Sequence, residues 1–260
     1  MKTLLAVGCS FTDEKFISKR HPEMDCSWPK WPKLIGEKLG YNVVNLGRCG
    51  NSNDSIFKST QDYIVDHKVD MICSLWTQTT RLNIHDMENF NWAWSFRSKH
   101  ETELHNPSEA ANKLVIFKTS VFKRLLRWKH TVLANEHLRY IYMLDQLGKY
   151  NNIPVYHMQG VRVYYPFGVS EKSHELDNYG KIRLAKSEYL NAVLESQYFE
   201  ILDKQDNIYG WPFYKELGGK SLGDNPIPRF PVEYRISKLD THPNAKGQQK
   251  IASQFMEIIK

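Results

Sequence analysis

An alcohol becomes a useful nucleophile only when a base stands ready to take its proton. Ser10 is the first candidate. It follows the apolar run Thr3 to Gly8, in Gly8-Cys9-Ser10-Phe11-Thr12, where a sharp turn after a strand exposes a hydroxyl. No base lies near it in sequence. One lies at the far end of the chain, in Asp240-Thr241-His242-Pro243-Asn244. Histidine is the side chain best suited to take and return a proton near neutral pH. Asp240, two residues earlier on the same extended stretch, would orient the His242 ring and stabilise its cation. Pro243 would stiffen that stretch and fix where the next helix begins. Taken singly, Ser10 reads as a turn or cap serine and His242 as a surface or capping residue.

Acyl transfer also needs donors for a developing oxyanion. Two further loops leave consecutive strands at the same edge, Asn45 to Asn51 and Trp76 to Thr79. Gly50 permits close backbone approach and can offer its N–H, or it can serve only a turn. Gln78 can offer a side-chain amide, and a purely structural amide stands level with that role. Arg48 and Arg81 leave these loops and would bind an anionic substrate; solvated or paired arginines are the plainer account. Trp76, Trp92 and Trp94 are the aromatic candidates for a substrate wall. The run Phe90 to Phe96 would equally pack an insertion onto the body. Cys9 and Cys49 flank the site and read as small packing residues.

The elements that must position these groups follow from periodicity and punctuation. Strands are expected over Thr3 to Gly8, Tyr41 to Leu46, Asp70 to Trp76 and Val155 to Met158, with a short fifth within Asn207 to Phe213. Helices are expected at Pro32 to Leu39, stopped by Gly40, at Ser52 to Asp66, at Thr131 to Tyr150 and at Glu188 to Leu202. A last helix follows the N-cap Asn244, with Ile251, Phe255, Ile258 and Ile259 on one stripe. Alternating strands and helices imply a mostly parallel sheet covered on both faces, whose ligands sit at the carboxyl ends of the strands. One domain over 1–260 is expected, with insertions at 87–128 and 161–187.

Composition narrows the class. The 260 residues carry 35 Lys+Arg against 29 Asp+Glu, a net charge of +6, with 41% hydrophobic and 13% aromatic residues. The densest basic group, Lys118 to Lys129, is mixed with apolar residues and reads as a helix face, so no nucleic-acid partner is expected. Cys9, Cys26, Cys49 and Cys73 form no CxxC pair, which fits a reduced, intracellular-type chain. The start resembles an export signal only superficially, its apolar stretch being shorter than the ~7–15 residues required. No stretch is long enough to span a membrane, so a cytoplasmic location without a membrane partner is expected.

Three blocks resemble those of the SGNH (GDSL-like) hydrolases. Gly8-Cys9-Ser10-Phe11-Thr12 is similar to the first, with Cys9 where Asp is usual. Asn45-Leu46-Gly47-Arg48-Cys49-Gly50 is similar to the second and Asp240-Thr241-His242-Pro243-Asn244-Ala245-Lys246-Gly247 to the last. They fall in the family's order and bracket nearly the whole chain. The resemblance implies a three-layer α/β/α sandwich with a flavodoxin-like sheet of about five strands. It implies Ser10, Asp240 and His242 as the triad, and the Ser10 and Gly50 N–H groups as oxyanion donors. The third block departs: Gln78 stands by register where the family has an Asn amide. The run Trp76-Thr77-x-x-x-Arg81 and Gly210-Trp211-Pro212 resemble SGNH-like proteins of tailed bacteriophages, which would imply virion association. The function implied is hydrolysis of an ester, an O-acetyl group on a carbohydrate first among them, with no metal or organic cofactor. A small-molecule or glycan ester is the expected partner. A non-catalytic module on the same fold and an O-acyltransferase with the same triad remain open.

Overall fold

A computed structural model of the chain describes residues 1–79, 81–83, 93–94, 130–161, 163, 188–222 and 231–260. The first strand, β1 (Thr3–Gly8), is buried from Leu4 onward. Side chains alternate across a strand, and here both sets are apolar. Leu5 and Val7 enter one core, Leu4 and Ala6 the other. A strand with two apolar faces must be covered twice, as parallel sheets are.

The covering helices come from capped, periodic segments. On one face, α1 (Trp31–Leu39) opens with Pro32 and closes on Gly40 in the left-handed conformation. It packs there with the last described helix, α5 (Ala245–Ile258), where the Trp31 and Phe255 rings stack with centroids 4.6 Å apart. On the other face lie α2 (Asn53–Asp66) and α3 (His130–Tyr150), which contribute Ile56, Phe57, Leu138 and Ile141 to the core with Leu5 and Val7. Ser52 caps α2 by accepting from the Ser55 N–H at 3.2 Å. Asn244 caps α5 through the Gly247 N–H at 3.0 Å.

The remaining sheet strands are β2 (Asn42–Asn45), β3 (Met71–Trp76), β6 (Val155–Gln159) and β7 (Ile208–Tyr209). All neighbours pair in parallel, in the order β2-β1-β3-β6-β7. This is the flavodoxin-like order, a doubly wound sheet whose switch point lies between β1 and β3. The expected three-layer architecture with five strands is therefore the one observed. A separate two-residue pair, β4 (Leu82–Asn83) with β5 (Ala93–Trp94), runs antiparallel just beyond β3.

The helix expected over Glu188 to Leu202 is broken. A helical stretch covers 188–194, and α4 (Phe199–Asp203) restarts after a turn. Ser196 explains the break: its hydroxyl donates to Asn135 Oδ1 at 2.6 Å and accepts from the Tyr198 N–H at 3.3 Å. Serine's local bonds compete in this way with helix continuation. The expected insertions and the basic group 118–129 lie almost wholly outside the described residues. No helix among the described residues is long and apolar enough to cross a membrane.

Candidate active site

The carboxyl ends of β1 and β3 meet the segment that precedes α5. After β1 the chain turns sharply, with the Thr12 and Asp13 N–H groups both donating to the Cys9 carbonyl at 2.9 and 3.1 Å. Gly8 is required there, because an added Cβ would lie 2.1 Å from Thr12 Oγ1. The turn is fixed from outside: Asn45 Nδ2 donates to the Thr12 carbonyl at 2.8 Å and Gln248 Nε2 to the Phe11 carbonyl at 3.1 Å. Ser10 is thereby held at the strand's end, largely buried.

The opposite partner arrives on a small hairpin. Arg235 bridges Pro243 in antiparallel fashion, and the Ile236 N–H donates to the His242 carbonyl at 2.9 Å. The chain turns between Asp240 and His242: the His242 N–H donates to Asp240 Oδ1 at 3.0 Å, which folds the carboxylate back beside the imidazole. His242 Nε2 lies 3.0 Å from Ser10 Oγ, and His242 Nδ1 lies 2.6 Å from Asp240 Oδ1. The structure thus brings Ser10, His242 and Asp240 into one hydrogen-bonded line.

Electrostatics fix the direction of that line. Burial would raise the Asp240 carboxyl, but bonds from the His242 ring, the Ser18 hydroxyl and the His242 N–H outweigh it and hold the group below the usual carboxylate range. An ionised Asp240 only accepts, so the ring proton sits on Nδ1. Nε2 is left bare toward the Ser10 hydroxyl, the tautomer a general base requires.

Other groups around the ring carry no sequence signal. Ser18, fully buried, donates to Asp240 Oδ2 at 2.5 Å. Its oxygen also accepts from the His21 N–H at 3.0 Å. Ser237 accepts from the Asp240 N–H at 2.9 Å and lies 2.8 Å from His21 Nε2. Phe16 lies across the imidazole, with ring centroids 4.2 Å apart, and Phe11 meets it edge-on at 5.6 Å. Phe16, Ser18 and His21 sit on a Pro-punctuated connection without periodicity, so only their proximity to Asp240 and His242 singles them out.

The candidate oxyanion donors face the same end of the sheet. Gly50 has φ 89°, a conformation that favours glycine. Its loop is tied to β1 by Asn51 Nδ2, which donates to the Gly8 carbonyl at 3.1 Å. Gln78 is half-buried between Thr77 and Thr79, which are both buried. The Thr79 hydroxyl donates to the Val163 carbonyl at 3.0 Å. That leaves Gln78 as the accessible side chain of the three.

The substrate-wall candidates divide. Trp76 is corrected: it is fully buried, its Nε1–H donates to His157 Nδ1 at 3.2 Å, and its ring stacks on His157. It is core, because it ends a strand buried on both faces. Trp92 lies outside the described residues, and Trp94 is described only as part of β5. Arg48 is exposed, while Arg81 is half-buried, with Nε and Nη1 buried and unpartnered among the described residues. Cys9 is buried as expected, whereas Cys49 is exposed and does not pack. All four cysteines are free thiols. Among the described residues, no group of three or more His, Cys, Asp or Glu side chains is arranged to hold a metal ion.

No family model matches this chain, and no curated protein does. Among solved structures it is similar to TesA, at 13% identity and TM-score 0.48 over 100% of this chain and 98% of that one. It is likewise similar to a member of the lipolytic protein G-D-S-L family from Veillonella parvula, at 10% identity and TM-score 0.46 over 100% and 98%. A third is Axe2, an acetylxylan esterase from Geobacillus stearothermophilus, at 14% identity and TM-score 0.42 over 98% and 93%.

Proposed function

We propose that the protein is a serine esterase working through an acyl-Ser10 intermediate. The observation that carries this reading is the line from Ser10 Oγ to His242 Nε2 at 3.0 Å and from His242 Nδ1 to Asp240 Oδ1 at 2.6 Å. A hydroxyl, a bare imidazole nitrogen and a carboxylate in that sequence are what acyl transfer needs.

In the proposed mechanism, Ser10 Oγ attacks the ester carbonyl carbon as its proton passes to His242 Nε2. The carbonyl oxygen becomes an oxyanion, received by the Ser10 and Gly50 N–H groups and the Gln78 amide. Such donors contribute about 10²- to 10³-fold each. Asp240 stabilises the imidazolium. The tetrahedral adduct collapses, the alcohol leaves with the proton from Nε2, and the acyl group stays on Ser10. Water then attacks while His242 takes its proton. Collapse releases the acid and returns the proton to Ser10 Oγ.

For the substrate we propose an O-acetyl group on a carbohydrate. Its support is placement: Trp94 in β5 pairs with Leu82, four residues beyond Gln78. The test is acetate release from p-nitrophenyl acetate and from acetylated oligosaccharides, compared between the wild type and Ser10→Ala. Release from both, abolished in the variant, is expected. Acetyl transfer to a sugar acceptor without free acetate would make the enzyme a transferase. Release that is equal in Ser10→Ala would contradict the reading.

A further inference from the structure

Beyond the last β1–β3 partner pair, Gly8 with Leu75, β3 continues with no strand on that side among the described residues. A buried backbone there must find other partners. Thr77 finds them in side chains. Its N–H donates to Asn53 Oδ1 at 2.9 Å, and its carbonyl accepts from Asn53 Nδ2 at 3.2 Å and from Gln159 Nε2 at 3.0 Å. The Asn53 amide therefore takes the place of a missing strand, meeting both backbone groups of one residue. Asn53 is itself buried at the first position of α2.

The orientation of that amide is fixed. With Oδ1 committed to an N–H, Nδ2 also faces His137 Nδ1 at 2.9 Å, so that nitrogen is bare and accepts. Two residues on, the Thr79 N–H donates to the Val163 carbonyl at 2.8 Å. Gln78 is thus the apex of a loop pinned on both sides.

We propose that Asn53 is a positioning residue for the oxyanion side of the site, its amide clamping Thr77 so that Gln78 is presented to the bound ester. The proposal rests on the esterase reading above. It also accounts for how a glutamine serves where the resembling family has an asparagine: the longer side chain is tolerated because its backbone is held on both flanks.

The test compares Asn53→Asp and Asn53→Ala with the wild type. Asp is isosteric, still accepts from the Thr77 N–H, and loses both donations. Steady-state hydrolysis of p-nitrophenyl acetate is measured with thermal melting and with amide hydrogen exchange at Thr77. Folded Asn53→Asp should lose about 10- to 100-fold in kcat with KM within about threefold, the cost of a donor misplaced by about an ångström. In Asn53→Ala the Thr77 amide should exchange about tenfold faster or more, a change the wild type and Asn53→Asp do not share. A kcat in Asn53→Asp within about twofold of the wild type, or a loss wholly in KM, would overturn the clamp. Unchanged Thr77 exchange in Asn53→Ala would overturn it as well. Absence of turnover in the wild type strikes the esterase reading instead, and Thr77 exchange then decides the clamp.

Discussion

Three hydrogen bonds converge on the Asp240 carboxylate, from Ser18 Oγ at 2.5 Å, His242 Nδ1 at 2.6 Å and the His242 N–H at 3.0 Å. Bonds to a charged group are worth about 1.5–3 kcal/mol each, so Ser18→Ala should lower both stability and kcat, the latter about tenfold. Because Asp240 is held below its ordinary 3.8, its stabilising contribution is full above that pH and is lost progressively as pH falls below it toward the group's lowered value. Denaturation of Ser18→Ala across that range should show a weaker acid dependence than the wild type. Ser10→Ala and His242→Ala should each cut kcat by about 10⁴–10⁶, and the double variant little further, because the groups act as a unit. Ser10, Asp240 and His242 were legible from sequence because each sits in a short patterned block beside an element boundary. Ser18 and Phe16 were not, since residues 13–30 carry no period that would place one side chain against another 222 positions away.

At the scale of elements, the start of α5 governs where His242 stands. Asn244 caps that helix and also donates to the Glu233 and Arg235 carbonyls at 3.0 and 2.7 Å, joining helix, hairpin and site. Loss of a cap alone costs about 1 kcal/mol. Asn244→Ala should exceed that in chemical denaturation and also lower kcat, because the hairpin loses its anchor. Strands β1 and β3 follow their continuous apolar runs, and helices α1 to α3 lie within a residue of the bounds expected from sequence. The segment around Ser196 does not, because a serine's bonds to Asn135 and Tyr198 depend on tertiary neighbours that periodicity does not register. Trp76 misleads for a similar reason: an aromatic at a strand end near a site reads as a ligand wall until the stacking with His157 inside the core is known.

At the scale of the whole molecule, one core encloses two neutral histidines. Burial pushes His137 down from 6.5 to about 3 and His157 to about 4, the nearby Asp145 opposing it in the second case. The unfolded chain protonates first, so their stabilising contribution is intact above about 6.5 and is lost as pH falls toward those values. Each takes up at most one proton, adding at most about 1.4 kcal/mol per pH unit. Urea denaturation between pH 7 and 4 should steepen accordingly, and His157→Gln should flatten it. The fold's larger consequence is that it joins positions 10 and 242, 232 residues apart, across the carboxyl edge of one sheet. Fluorophosphonate labelling, with the adduct mapped by mass spectrometry, tests that junction most directly. A single adduct on Ser10 is expected, forming at least about 10³-fold more slowly in His242→Ala. No adduct at Ser10, or labelling unchanged in His242→Ala, would contradict it.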